Sequence, residues 1–542
     1  MHAISATDRT VTSVTPQSRD IRRGPREHAV DTSRRPAPWR HRPDAPRTAG
    51  PPRTRRAPRR TYRPLAALLA AGCLVAGLAP GTAAARDTAG GSGTGAPAPA
   101  ACPDGLPVGT DCYEGRDANG AYYSIAVPHD WNGSLVMHAH GGPDLGAATP
   151  ERNREDLGRW SVMVEEGYAW AGSSYRRGGY GVRMAAEDTE NLRRLFVATF
   201  GQPERTYVHG QSWGGNVAAK IAETFAARAP RGGGRPAYDG ALITNGAVAG
   251  GSRGYDHRVD LRAVYQFYCH NHPRPDERQY PLWSGLPVDS EMTNADVRAR
   301  VQECTGVDSA PEDRTALQRR NLADILAVTK LPERTLVSHL SFATFTFRDI
   351  VAERLGGRNP FSNRGVRYTG SHDDRALNKG VQRFSADRSA VRDLSYDSDL
   401  TGVVDIPVLS LHAIDDPTVP VEQDAAYRAS LAGARWGGAR NLVQTFTRES
   451  EHSALSDSGY ATALGALSSW VTDGTRPTPS GVAASCAAYD REYGAGCFFD
   501  PAYVPGDYAS RVNPRPGGRH WPALTAARAK WWERWGDVGI AP

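Results

Sequence analysis

One stretch constrains this 542-residue chain more than any other: Gly210-Gln211-Ser212-Trp213-Gly214-Gly215. It follows a β-branched and aromatic run, Arg205–His209, and opens an apolar segment, Trp213–Ala227, with helical spacing. A strand that turns directly into a helix must reverse within about two residues, and a serine at its apex then takes strained backbone with its hydroxyl outward. Gly210 and Gly214 flank that apex because larger side chains would collide across the turn. A G-x-S-x-G match alone arises by chance; its setting between strand and helix gives it meaning.

The surrounding pattern fits such a turn. Tyr122–Val127, Ser134–His138, Ala169–Ser173 and Leu242–Asn245 read as strands. Arg152–Glu166 and Asp188–Phe200 carry helical periodicity between them. Strands alternating with helices predict a mostly parallel sheet covered by helices on both faces. The alternation stops over residues 250–400, which are rich in Arg, Asp, Pro and aromatics, with helical pieces at Asn294–Glu303 and Ala316–Val328. That stretch reads as an inserted, mainly helical cap. Core elements resume over 401–475 with strands at Ile406–His412 and Leu442–Phe446 and a helix at Tyr460–Val471. Residues 101–249 form the first part of the core, and 476–542 a tail ending in a helix candidate, Ala523–Trp535.

Three further segments carry chemistry. His138-Ala139-His140-Gly141-Gly142-Pro143 follows a strand, and its glycines let backbone approach a substrate closely. With the Trp213 amide, Gly142, or alternatively Gly141, can supply the paired N–H donors that an oxyanion needs. The His-x-His pair could also be read as metal ligands. In Leu411-His412-Ala413-Ile414-Asp415-Asp416-Pro417-Thr418-Val419-Pro420, an acid at the end of a buried strand can reach a histidine. Asp416 is favoured by the acid-x-x-Val-Pro arrangement, with Asp415 as the alternative. His452, in a loop before a helix, is the candidate base, with His520 as the alternative. The chain order Ser212, Asp416, His452 differs from that of chymotrypsin and subtilisin.

These motifs, with Ser174-Tyr175-Arg176-Arg177-Gly178-Gly179-Tyr180-Gly181, resemble α/β-hydrolases of the prolyl-oligopeptidase and proline-iminopeptidase kind. The resemblance covers roughly residues 120–245 and 400–475 and leaves out the insert. It implies the α/β-hydrolase fold and acyl transfer without a cofactor: Ser212 as nucleophile, His452 as base, Asp416 orienting it, and Trp213 and Gly142 as oxyanion donors. Asp144 stands where the iminopeptidase loop carries a further Gly, and no β-propeller pattern precedes the domain. The reading favoured is cleavage of a carboxylic ester. Cleavage of peptides by an exo- or oligopeptidase is the alternative, and a non-catalytic binding module a remoter one, since such modules lose the nucleophile or base. In the insert, Tyr265, Tyr268, Trp283, Phe342, Phe345 and Phe347 either line a substrate pocket or form the cap's own core.

Charge and cysteine usage place the chain. Residues 1–85 hold 16 Arg against five acidic residues, so +11 of charge lies there and the remainder is −5 against a total of +6. A basic stretch, the apolar run Leu65–Leu78 and Ala83-Ala84-Ala85 read as a disordered leader and signal peptide cleaved after Ala85. The apolar run is shorter than the roughly 20 residues that span a bilayer, so no stable membrane anchor is expected. Residues 86–100 read as a linker. The basic balance belongs to the leader and gives no support to nucleic-acid binding. The preference for Arg over Lys suggests a GC-rich bacterial genome, and the product is expected outside the cell. Six cysteines remain beyond Cys73, and an even number in an exported chain argues for disulfides. Proximity favours Cys102–Cys112, Cys269–Cys304 and Cys486–Cys497. Cys269-His270-Asn271-His272 is not joined by a second cluster of the kind a metal site needs.

Overall fold

A computed structural model describes residues 96–226, 236–434 and 438–515. The stretch expected to be a leader and signal peptide, the terminal helix candidate Ala523–Trp535 and His520 lie outside the described residues. The described residues belong to one compact unit.

Nine strands form one sheet: β1 (Ala98–Ala100), β2 (Asp111–Arg116), β3 (Tyr122–Val127), β4 (Ser134–Ala139), β5 (Ala169–Ser173), β6 (Arg205–Gln211), β7 (Gly240–Thr244), β8 (Val408–Ala413) and β9 (Leu442–Thr447). Their spatial order is β1-β2-β3-β5-β4-β6-β7-β8-β9. The pairs β1–β2, β2–β3 and β3–β5 are antiparallel, and every pair from β5–β4 to β8–β9 is parallel. From β2 onward this is the strand order of the α/β-hydrolase fold, which the chain therefore has. The sheet begins at Ala98, inside the stretch that composition alone reads as linker.

The strands' composition explains their place. β5, β7 and β8 are buried at every residue, as in parallel strands covered on both faces. Period-two alternation divides the side chains between two cores. Leu135, Met137, Val208 and Ile243 pack with the helices Val182–Phe200 and Trp213–Thr224. Val136, Tyr207, Leu242, Leu409 and Leu411 pack on the other face with Trp160, Leu464 and Leu467.

Several helices differ from their sequence reading. The helix expected from Asp188 starts at Val182, and the one expected over Arg152–Glu166 is broken at Trp160 into Glu151–Arg159 and Ser161–Glu165. Asp256–Cys269, Glu422–Gly433 and Pro479–Tyr493 are helices that the pattern did not signal. In Asp256–Cys269 the cause is plain: every residue from Asp256 to Tyr265 is buried, so no solvent face imprints a polar stripe. Between Thr244 and Val408 the described residues add no strand to the sheet. There the helix Leu336–Ser341 runs on into wide-turn segments at Phe342–Thr346 and Asp349–Arg354. Tyr265 and Phe347 are fully buried core, whereas Phe342 and Phe345 are only partly covered. The three favoured disulfides are formed: Cys102–Cys112, Cys269–Cys304 and Cys486–Cys497. No described helix is long and apolar enough to cross a membrane.

Candidate active site

Ser212 sits between the end of β6 and the helix Trp213–Thr224 with φ +60° and ψ −127°. A left-handed φ at a non-glycine residue is strained and persists only where its surroundings enforce it. They do so here through backbone contact. A Cβ on Gly210 would lie 2.0 Å from the Gly214 carbonyl oxygen, and one on Gly214 would lie 2.1 Å from the Ala139 oxygen. Both glycines are therefore required by the turn and its packing on β4.

Three side chains from separate loops converge there. His452 Nε2 lies 2.8 Å from Ser212 Oγ, and His452 Nδ1 lies 2.8 Å from Asp416 Oδ2 and 3.0 Å from Oδ1. Asp416 is buried in the loop after β8, and its Oδ1 also accepts the Thr418 and Val419 amides at 2.8 and 3.0 Å. Burial would raise its pKa, but His452 and His412 outweigh that and hold the carboxyl below the usual range. Asp415 is exposed, its carbonyl accepts from Arg334 Nη2 at 3.4 Å, and its carboxylate makes no hydrogen bond to His452. The structure thus brings Ser212, His452 and Asp416 together and leaves Asp415 out.

A second layer holds these groups. His412 Nε2 lies 3.4 Å from Asp416 Oδ2, and its Nδ1 lies 2.5 Å from Asp424 Oδ2. Burial alone would lower the His412 pKa; Asp424 and Asp416 instead push it up to about 10. Asn245 joins the two loops. Its Oδ1 accepts the Ala413 amide at 2.7 Å, and its Nδ2 donates to the His452 carbonyl at 2.7 Å. Gln211 Nε2 donates to that same carbonyl at 2.8 Å. Asn245 has φ +44°, a conformation Asn tolerates better than most residues. Sequence reading missed all of these; the Asn-Gly pair closing a strand was the one local signal for Asn245.

The loop after β4 passes beside the nucleophile. A Cβ on Gly141 would lie 3.8 Å from Ser212 Cβ, and Gly142 has φ +136°, open to glycine but rarely to other residues. Trp213 opens its helix, so its N–H has no intrahelical acceptor. The loop carrying the predicted donor glycines thus passes close to Ser212 at Gly141.

His138 and His140 belong to another arrangement. His138 Nδ1 lies 3.0 Å from His209 Nδ1, and His209 Nε2 lies 3.0 Å from Thr244 Oγ1. His140 has Asp156 Oδ2 at 2.9 Å from Nδ1 and Asp144 Oδ2 at 3.0 Å from Nε2. Burial works against charge on His140, yet the two carboxylates raise its pKa; burial lowers that of His138. The pair is committed to buried hydrogen bonds, and among the described residues no group of three or more His, Cys, Asp or Glu is placed to hold a metal.

No protein-family profile matches the chain. Over 113 residues it is 32% identical to an o-phthalyl amidase from Xanthobacter agilis, a match taking in 20% of this chain and 23% of that protein. The chain thus spans less than a quarter of that curated relative's length. Among solved structures, an esterase from Aspergillus oryzae aligns at 14% identity and TM-score 0.34 over 68% of this chain and 80% of its own. Candida antarctica lipase A in its closed state aligns at 12% identity and TM-score 0.34 over 78% and 85%.

Proposed function

We propose that this chain, an α/β-hydrolase by fold, is an exported serine hydrolase that cleaves a small carboxylic ester through an acyl-enzyme on Ser212. The observation that carries the reading is the unbroken contact from Asp416 through His452 to Ser212, at 2.8 Å on both sides of the imidazole.

In this mechanism His452 Nε2 takes the Ser212 proton as Oγ attacks the substrate carbonyl carbon. Asp416 fixes the ring with Nδ1 protonated and stabilises the imidazolium. The Trp213 amide and that of Gly142 or Gly141 receive the oxyanion. The imidazolium passes its proton to the departing alcohol as the carbon–oxygen bond breaks. Water then attacks the acyl-enzyme, with His452 again as base, releasing the acid and restoring the Ser212 hydroxyl. Every group in this cycle is a side chain or amide of the chain itself, and no cofactor is invoked. The three disulfides support an extracellular setting.

A second reading, cleavage of an amide, is favoured by the segment shared with a protein named as an amidase. One experiment separates them. The protein is labelled with a fluorophosphonate, then assayed on a p-nitrophenyl ester series beside aryl amides and aminoacyl anilides, with Ser212→Ala as control. Ester turnover lost in the variant fits the first reading, and efficient amide turnover lost with it fits the second. No labelling and no turnover would sink both.

A further inference from the structure

The helix Asp256–Cys269 and the segment around Phe342 meet the Asp416 loop, and a cation lies at the junction. Arg258 is 5% exposed. Its guanidinium stacks 3.9 Å from the centroid of Phe342 and 5.3 Å from that of Tyr255. Nε donates to His339 Nδ1 at 3.1 Å, and His339 in turn donates Nε2–H to the Pro417 carbonyl at 2.9 Å. Nη2 reaches only the Thr418 carbonyl, at 3.4 Å, and Nη1 has no hydrogen-bond acceptor among the described residues. The nearby carboxylates are engaged elsewhere: Asp416 by His452, and Asp256 by Arg515 and Arg253.

A buried cation without a carboxylate is costly, and the outer edge of guanidinium is the part shaped for a planar anion. Arg262, one turn further along the same helix, makes the contrast. It too is buried and lacks a carboxylate, but its Nη1 donates to the His272 carbonyl at 2.6 Å and its Nη2 to Tyr280 at 3.2 Å. Arg262 has spent both terminal nitrogens on the fold; Arg258 makes one long bond from Nη2 and leaves Nη1 without an acceptor among the described residues. From Tyr255 the aromatic packing continues toward the nucleophile through buried side chains. Tyr255 packs against Tyr180 at 6.1 Å, and Tyr180 against Trp213 at 5.8 Å, the residue after Ser212.

We infer that Arg258 is a binding residue for an anion carried by the substrate: a carboxylate on the acyl group, whose apolar part lies along Phe342 and Tyr255. The inference rests on the proposed reading of Ser212 as nucleophile. It names the substrate class as half-esters or half-amides of dicarboxylic acids, aromatic ones suiting this wall best.

The test measures binding rather than turnover, so that its failure is separate from failure of the hydrolase reading, which fluorophosphonate labelling of Ser212 decides. The full chain is titrated calorimetrically with benzoate and with 1,2-, 1,3- and 1,4-benzenedicarboxylate. At least one dicarboxylate is expected to bind about tenfold more tightly than benzoate, the margin that a buried hydrogen-bonding group gives its matching ligand. Arg258→Met should remove that gap, and Arg258→Lys should restore part of it. Phe342→Leu should weaken benzoate and dicarboxylate alike and leave the gap. If no dicarboxylate outperforms benzoate in the unaltered protein, the inference is overturned without any variant having to fold. A gap that survives Arg258→Met would overturn it too, making Arg258 only a clamp on the Pro417–Thr418 backbone.

Discussion

Two histidine–carboxylate arrangements stand beyond strand ends of one sheet, one after β4 and the other after β8 and β9, and their distances are nearly the same. In one, His452 lies 2.8 Å from Asp416; in the other, His140 lies 2.9 Å from Asp156. What differs is the second nitrogen of each ring. His452 sits on a loop, is partly open to solvent, and presents Nε2 to a serine on strained backbone. His140 is buried and presents its other nitrogen to a second carboxylate, Asp144, so both ring nitrogens are engaged by carboxylates that raise its pKa, and neither faces a hydroxyl. Hydrogen-bond length does not separate a base from a structural histidine. The freedom of the ring's far side does.

Substitutions can break this contrast, and the largest effect belongs to Ser212. Ser212→Ala should lower kcat by at least ~10^4-fold on any substrate and abolish fluorophosphonate labelling, with the melting temperature nearly unchanged. Asp416→Asn comes next, with a loss of about 10^3- to 10^4-fold in kcat, because an amide favours the wrong tautomer of His452. A variant as active as the parent would return the acid's role to Asp415. On the other side of the comparison, Asp156→Ala should act mainly on stability. It leaves buried His138 and His140 without their shared partner, a cost of about 3 kcal/mol by chemical denaturation. If it instead lowered kcat as Asp416→Asn does with stability intact, the two arrangements would not be distinct in kind.

The same contrast explains what was legible in the sequence. Ser212, Asp416 and His452 each sit in a short motif whose neighbours are constrained by the local backbone: Gly210 and Gly214 by the turn, Thr418 and Val419 by amides that bind the acid. Such constraints are written within a few residues. The parallel sheet was legible for a similar reason, because β7 and β8 are short apolar runs between turn signals. Asn245 and Gln211 were not, since what they do depends on groups far along the chain; Asn245 and His452 are separated by 207 residues. Asp424 meets His412 only 12 residues away, but across the turn from β8 into a helix that left no periodic signal. The helix carrying Arg258 left no periodic trace because both its faces are buried. The roles of His138 and His140 also depended on a partner, Asp156, that their own motif does not contain.

A pH series sharpens the comparison from the supporting layer. His412 touches both Asp416 and Asp424, and its pKa in the folded chain is pushed up to about 10 from an ordinary 6.5. A group whose folded pKa is raised stabilises fully below its unfolded pKa, and that contribution fades as pH rises through the folded value. The melting temperature should therefore decline from about pH 6.5 toward about pH 10, and His412→Asn should flatten that slope. An unchanged slope would remove His412 from the network that keeps Asp416 charged.

The smallest effect expected is at Asn245, and it tests whether the triad's geometry is held by its own members or by the sheet. Asn245 contributes no proton and touches neither Ser212 nor the Asp416 carboxylate. It receives the Ala413 amide at the end of β8 and donates to the His452 carbonyl, so it ties the acid's loop to the base's loop across β7. Asn245→Ala removes both bonds and a third, from Nδ2 to the Glu451 carbonyl at 3.2 Å, at about 1–2 kcal/mol of stability, and leaves Gln211 as the remaining donor to His452. Alanine is also disfavoured at φ +44°. A shift of well under 1 Å in His452 costs about tenfold in kcat, with KM little changed, because the reacting atoms are misaligned while the binding wall is intact. Asn245→Asp separates the two bonds: it can still accept from Ala413 but cannot donate to His452. If Asp behaves like Ala in kcat while recovering stability, the tie to His452 governs the chemistry and the tie to Ala413 the fold. If neither variant changes kcat, the base is positioned by Asp416 and Gln211 alone.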